Sequence, residues 1–312
     1  MDVERRTRGG VSSRLMIEAL VAAGSRKSPE EYSASPELCK DAAGYLTLDE
    51  HVVFWVCDGT SDSNALPRHL NQPGFNSRIL ASDLGQGFGR IAAEALLKGE
   101  DPRASLPKEL FDDIVCQWRG RLIEYLRGIE NEGKLTALLT RLPLTGDGAY
   151  RMKWSSTLLG GIYNERGRAL DILNIGDCGA VVMGEEPHKV LPRATCGIVV
   201  ANIRADTELD VNVFPIEVKA DWEHFESVTC FFAMSDGLAK DLGAFLSETE
   251  ENLKNMPLGD VRRRLMTAGT LTYDDRAVVI GTLLEKCEET GESNARAWLE
   301  TALVSVRRAF TR

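Results

Sequence analysis

His51–Cys57 reads HVVFWVC and runs directly into Asp58-Gly59. The run is apolar, rich in β-branched and aromatic residues, and too short for a buried helix. It therefore predicts a buried strand that an Asp-Gly turn brings to a stop. Two similar runs lie further along the chain. Val228–Met234, VTCFFAM, ends at Ser235-Asp236-Gly237, and Arg276–Gly281, RAVVIG, is preceded by Asp274-Asp275.

Between and around these strands the pattern changes. From about Ser77 to Arg141 the apolar residues recur at spacings of three and four, as in IAAEALLKG and FDDIVCQWRGRLIEYLRGI, which predicts helices interrupted at Pro102 and Pro107. From Trp154 to Leu191 the chain reads as a strand meander, with hairpin turns at Asn164–Gly167 and at Gly176–Gly179. Helices are expected over 237–247 and 257–267, and an amphipathic one over about 293–310. Residues 1–11 read as an arm, 12–24 as a short helix capped by Ser12 or Ser13, and 25–285 as one catalytic domain, with 286–312 a C-terminal helix packed on it. Early and late strands with helical blocks between them predict an α+β layered fold.

Four acidic residues share one context. Asp58, Asp177 and Asp236 each follow an apolar strand, and Asp274 precedes one. An antiparallel neighbour starts where its partner finishes, so all four can meet at a single sheet edge. Carboxylates gathered at a buried edge repel one another unless a cation joins them, and their oxygens suit Mg²⁺ or Mn²⁺. A single Asp-Gly after a strand is more often only a turn. Four acids in matching contexts point to metal.

In order, KDAAGYLT, FWVCDGTSDS, WSSTLLGGIY, LNIGDCGAVVM, FFAMSDGLAKDL and YDDRAVVI resemble the motif series of the type 2C metal-dependent (PPM) protein Ser/Thr phosphatases over residues 39–281. The resemblance implies a four-layer αββα sandwich of two mainly antiparallel sheets flanked by helices, with two metal ions at one edge. It implies that Asp58 bridges the ions with help from the Gly59 carbonyl, and that Asp236 and Asp274 hold the other metal. Asp41 is implied to bond metal-bound water, Asp177 and Asp275 to give support, and Ser156 and Thr157 to pack and hydrogen-bond in a core strand. The implied reaction is hydrolysis of phosphoserine or phosphothreonine in proteins. Two cations about 4 Å apart acidify a shared water, and the resulting hydroxide attacks phosphorus in line.

The sequence departs from this pattern in places. Thr60 stands where many members carry the histidine proposed to protonate the leaving group, and a threonine hydroxyl is a poor acid. Lys40 stands where glutamate is common, and a cation there repels a second metal unless it turns away or contacts phosphate. SASPELC lacks the usual phosphate-binding arginine, for which Arg26, Lys40 or Arg276 are the substitutes. Asp147 is the nearest candidate for an additional metal site. The segment from Cys196 to Val228 is short of the usual substrate-recognition motifs.

A net charge of −10 argues against broad binding to nucleic acid or to an anionic membrane. Seven scattered cysteines without a C-x-x-C pair read as reduced thiols, and no secretory signal is visible, so a cytoplasmic protein is expected, with a monomer favoured. Gly85, Gly87 and Gly89 in LGQGFGRIAAEAL do not fit G-x-G-x-x-G and predict helix or loop rather than a nucleotide site. His51, His69, His188 and His224 lack metal-ligand spacing. Two rival readings share the fold: a catalytically weak protein that binds phosphoproteins, and a phosphatase for small metabolites.

Overall fold

Two five-stranded antiparallel sheets pack face to face in the computed structural model, which describes residues 13–22, 39–59, 75–142, 144, 150–190, 197–204, 222–240, 242, 258–267, 274–285 and 303. The strands are β1 (Ser13–Ala22), β2 (Ala42–Leu48), β3 (His51–Cys57), β4 (Tyr150–Ser156), β5 (Leu158–Asn164), β6 (Ala169–Ile175), β7 (Gly179–Met183), β8 (Pro187–Val190), β9 (Ile198–Arg204), β10 (Trp222–Phe225), β11 (Cys230–Met234) and β12 (Arg276–Glu285). The first sheet has the order β1-β12-β11-β7-β8 and the second β10-β6-β5-β3-β2, while β4 and β9 form a separate ribbon.

On the second sheet lie α1 (Ser77–Leu97), α2 (Pro102–Leu110), a π turn (Phe111–Val115), α3 (Cys116–Asn131) and α4 (Lys134–Leu139); α5 (Leu258–Thr267) covers the first. The result is the expected four-layer αββα sandwich.

The central strand shows why the sequence reads as it does. Val53, Trp55 and Cys57 of β3 face the α1–α4 layer, while Val52, Phe54 and Val56 face the opposite sheet. A strand covered on both sides needs apolar residues at every position rather than at alternate ones. Phe54 stacks on Phe231 of β11 with ring centroids 4.5 Å apart, locking sheet to sheet. Each fully buried side chain of this kind contributes roughly 1.5–3 kcal/mol.

The same logic corrects the expected helix over 12–24, which is the strand β1. Leu15, Ile17 and Ala19 face the core between the sheets, and Met16, Leu20 and Ala22 face the core under α5. With apolar groups on both faces the segment lacks a clean alternation, and periodicity alone cannot tell such a strand from a helix. Glu18 on the α5 side of the strand is met by Arg262 of α5 at 2.9 Å.

Two smaller expectations change. Pro102 opens α2, but Pro107 sits inside it and the π turn follows, so the second proline removes one hydrogen bond without ending the helix. Asn164–Gly167 is a hairpin turn, with the Asn164 side chain accepting from the Gly167 N–H at 2.8 Å. Gly176–Gly179 is not a hairpin, because it carries the chain from β6 in one sheet to β7 in the other. Turn residues signal a reversal, not which strands pair across it. The strand at RAVVIG runs on to Glu285, and residues 236–240 begin the helix expected after Asp236. The arm at 1–11 lies outside the described residues, as does the 293–310 helix apart from Leu303. No described helix is long and apolar enough to cross a membrane.

Candidate metal centre

Strand direction assembles the acids. β3 and β6 both pair antiparallel with β5, so they run the same way and finish at the same edge. Asp58 follows the first and Asp177 the second. β11 ends beside the start of β12, with Met234 opposite Val278 and the Ser235 N–H donating to the Ala277 carbonyl at 3.0 Å. Asp236 and the pair Asp274-Asp275 are thereby set side by side. Asp41 precedes β2, whose Ala42 lies opposite Cys57 at the end of β3.

Within this group, Asp58, Asp177 and Asp236 each offer a carboxylate oxygen, all within 4.8 Å of one another. Asp177, expected in a supporting role, thus stands with the other two. Asp274 is next to the trio rather than in it, and its carboxylate faces the Lys40 ammonium at 3.9 Å. Asp275 is buried and accepts from the Lys40 backbone N–H at 2.8 Å.

The glycines that follow Asp58 and Asp236 are needed for close approach. A Cβ on Gly59 would lie 2.6 Å from the Lys40 carbonyl oxygen, and one on Gly237 would lie 2.2 Å from that of Asp275. Neither turn tolerates a side chain there.

The electrostatics are those of a centre built for a cation. Burial pushes the Asp58 carboxyl up to about 7, with Asp236 the next cause and Asp274 and Asp177 adding to it. Burial lifts Asp41 well above the carboxylate range, and the charge of Asp58 lifts it further, while the Ser235 hydroxyl opposes the rise by hydrogen bonding to it. Asp177 is raised by partial desolvation and then by Asp236. The buried atoms Asp41 Oδ2 and Asp236 Oδ1 have no hydrogen-bond partner. Unpartnered buried oxygens cost free energy unless something positive meets them, and an all-oxygen set suits a hard divalent ion such as Mg²⁺ or Mn²⁺. The residues present fit such an ion.

Lys240 is the group that sequence reasoning missed. It lies one helical turn after Asp236 and pairs with its carboxylate, and that hydrogen bond holds the ammonium above its ordinary range. The i, i+4 spacing in DGLAK was the available signal. Arg276, one of the proposed phosphate contacts, is completely buried, and by strand alternation it lies on the face of β12 that carries Val278 and Ile280 under α5. Thr60, Arg26, Asp147 and His69 lie outside the described residues.

Ser156 and Thr157 sit where β4 gives way to β5, and Thr157 takes the Asp58 N–H at 2.8 Å. Cys39, Cys57, Cys116, Cys178 and Cys230 are free thiols, and burial drives Cys57 and Cys178 far above the ordinary thiol range, so neither is a nucleophile. His51 bonds the Asn164 amide and His224 the Asp171 carboxylate, away from the acidic edge. A cavity of about 520 Å³ lies elsewhere, on the helical flank between Trp55 and Trp118, and none of the centre's carboxylates lines it.

No family model matches the chain, and no curated protein matches it. Among solved structures it is similar to RsbX in complex with magnesium, at 11% identity and a TM-score of 0.45 over 86% of this chain and 96% of that one. It is similar to the serine/threonine phosphatase Stp1 from Staphylococcus aureus, at 12% identity and 0.46 over 86% and 95%. It is also similar to the PP2C phosphatase domain of SpoIIE from Bacillus subtilis, at 15% and 0.41 over 86% and 63%. The functional reading therefore rests on the chain's own side chains.

Proposed function

We propose that this protein is a metal-dependent phosphomonoester hydrolase whose substrates are phosphoserine and phosphothreonine in proteins. One observation carries the reading: three strand ends from two sheets bring Asp58, Asp177 and Asp236 within 4.8 Å of each other, beside the buried, unpartnered oxygen of Asp41. Coincidental acids at a surface do not bury an orphaned oxygen among themselves.

Asp58, Asp177 and Asp236 would hold Mg²⁺ or Mn²⁺. A divalent ion in that position supplies an acidified water and offsets phosphoryl charge. Asp41 sits against Asp58, and its Oδ2 is open to accept a hydrogen bond from a water. Lys240, half exposed and anchored on Asp236, is the cation best placed to meet phosphoryl oxygens from solvent. The Asp58 backbone is clamped by Thr157, so the carboxylate is presented in a fixed orientation. Neither serine nor cysteine is required as a nucleophile.

The test is hydrolysis of p-nitrophenyl phosphate and then of phosphopeptides, with Mn²⁺ present or chelated. Turnover is expected with Mn²⁺, lost on chelation and lost in Asp236→Asn. Parental turnover in that variant refutes the site. The pairing of Lys40 and Lys240 with the centre's own carboxylates favours a second reading, a phosphoprotein-binding protein on the same fold. Phosphopeptide binding without turnover in Mn²⁺ would establish it instead.

A further inference from the structure

We propose that the ammonium of Lys40 stands in for a second metal ion, so that the centre takes one divalent cation, between Asp58, Asp177 and Asp236, and no second one beside Asp274 and Asp275. This rests on the metal-dependent reading above and specifies it.

The position of Lys40 carries the inference. Its Nζ lies 3.5 Å from Asp275 and 3.9 Å from Asp274, and its side chain is only 15% exposed. A lysine so enclosed is not a surface residue that swings through solvent. Its backbone is fixed as well. The Lys40 N–H donates to Asp275 Oδ2 at 2.8 Å, and the Lys40 carbonyl is pressed against Gly59, where even a Cβ would come within 2.6 Å. The Asp274 carboxylate also accepts from the Asp275 N–H at 3.0 Å, which orients it toward the ammonium.

The acids of the edge therefore divide into two groups. Asp58, Asp177 and Asp236 converge on one another. Asp274 and Asp275 converge on Lys40. Among the described residues, the cation paired with the first group is the half-exposed Lys240, which an ion can displace toward solvent. The second group already has its positive charge, enclosed and tied down through the Lys40 backbone. A divalent ion beside Asp274 would meet the like charge of Lys40, 3.9 Å from that carboxylate, at close range.

The experiment counts Mn²⁺ bound to the full chain, by electron paramagnetic resonance of free and bound ion. The parent is expected to bind one Mn²⁺, with the spectrum of an isolated ion. Lys40→Arg, which keeps the charge, should also bind one. Lys40→Glu, which removes the cation and adds a ligand, should bind two, with the spin-coupled spectrum of a pair. Circular dichroism confirms that each variant is folded. Two ions in the parent overturn the inference while leaving the metal-dependent reading intact. A folded Lys40→Glu that still binds one ion also overturns it. No binding by the parent removes the metal-dependent reading and this inference with it. The parental spectrum alone is decisive should the glutamate variant fail to fold.

Discussion

Asp58 and Thr157 hold each other by two reciprocal hydrogen bonds: the Asp58 N–H donates to Thr157 Oγ1 at 2.8 Å, and the Thr157 N–H donates to the Asp58 carbonyl at 2.9 Å. The residue at the tip of β3 is thereby fixed to the junction of β4 and β5, ninety-nine residues away in the chain. Thr157 is held in turn by Gly176, which has φ +113 and whose Cβ position is only 2.6 Å from the threonine methyl.

This clamp predicts the behaviour of Thr157→Val. The change keeps the shape but leaves the Asp58 N–H without its partner in a buried place, at a cost of about 1–3 kcal/mol. Mn²⁺ affinity should fall by about tenfold or more, as when an outer-shell partner of a metal ligand is lost. Thr157→Ser should recover most of both. Thermal unfolding and Mn²⁺ titration check the pair, and an unchanged affinity in the valine variant would show that the clamp does not orient Asp58.

Asp58→Asn should stabilise the metal-free protein. The carboxylate is raised by burial and by three neighbouring acids, and an amide relieves that repulsion while offering two donors to them. Relief of about 1 kcal/mol would raise Tm by about 1–2 °C in a chain of this length. The stabilisation by Mn²⁺ expected in the parent should vanish. A lower Tm without metal would contradict the account of the centre.

The pH dependence follows from the same group. In the folded, metal-free chain Asp58 keeps its proton up to about 7, whereas in the unfolded chain it loses it near the ordinary carboxylate value. Between those values the native state binds more protons, so metal-free stability falls as pH rises and levels off above about 7. Metal requires the ionised carboxylate, so Mn²⁺ affinity should rise across the same window and then plateau. Thermal scans with and without Mn²⁺ should show a gap that widens from mildly acidic to neutral pH. A gap that narrows would mean that Asp58 is not a ligand.

Glycines in the helices separate packing from propensity. A Cβ on Gly85 or Gly89 of α1 would come within 2.1 or 2.4 Å of the Trp55 ring, whereas one on Gly120 of α3 meets nothing within 4 Å. Alanine gains roughly 0.8–1 kcal/mol over glycine in a helix interior. Gly120→Ala should gain that amount in urea unfolding. Gly89→Ala should lose about 1–3 kcal/mol, because overpacking against a buried tryptophan outweighs it. Equal shifts in the two variants would show that α1 does not depend on close contact with β3.

What the sequence determined by itself was local. A run apolar at every position, as in HVVFWVC, can be satisfied only as an element covered on both faces, and an Asp-Gly pair can end it without help from elsewhere. The strands at His51–Cys57, Val228–Met234 and Arg276–Gly281, the helical block after Ser77 and the strand-end acids were legible for that reason, and the layered architecture followed from their order; the strands at Ile198–Arg204 and Trp222–Phe225 carry no such run and were not read. The tertiary structure alone decided three things. Residues 13–22 became a strand because both of its faces found a core. The chain at Gly176–Gly179 changed sheets instead of forming a hairpin. Lys40 was set beside Asp275, 235 residues away, while Asp177 joined Asp58 and Asp236. Hydrophobic period and turn chemistry act over a few residues, but which charges meet depends on strand pairing across the whole chain.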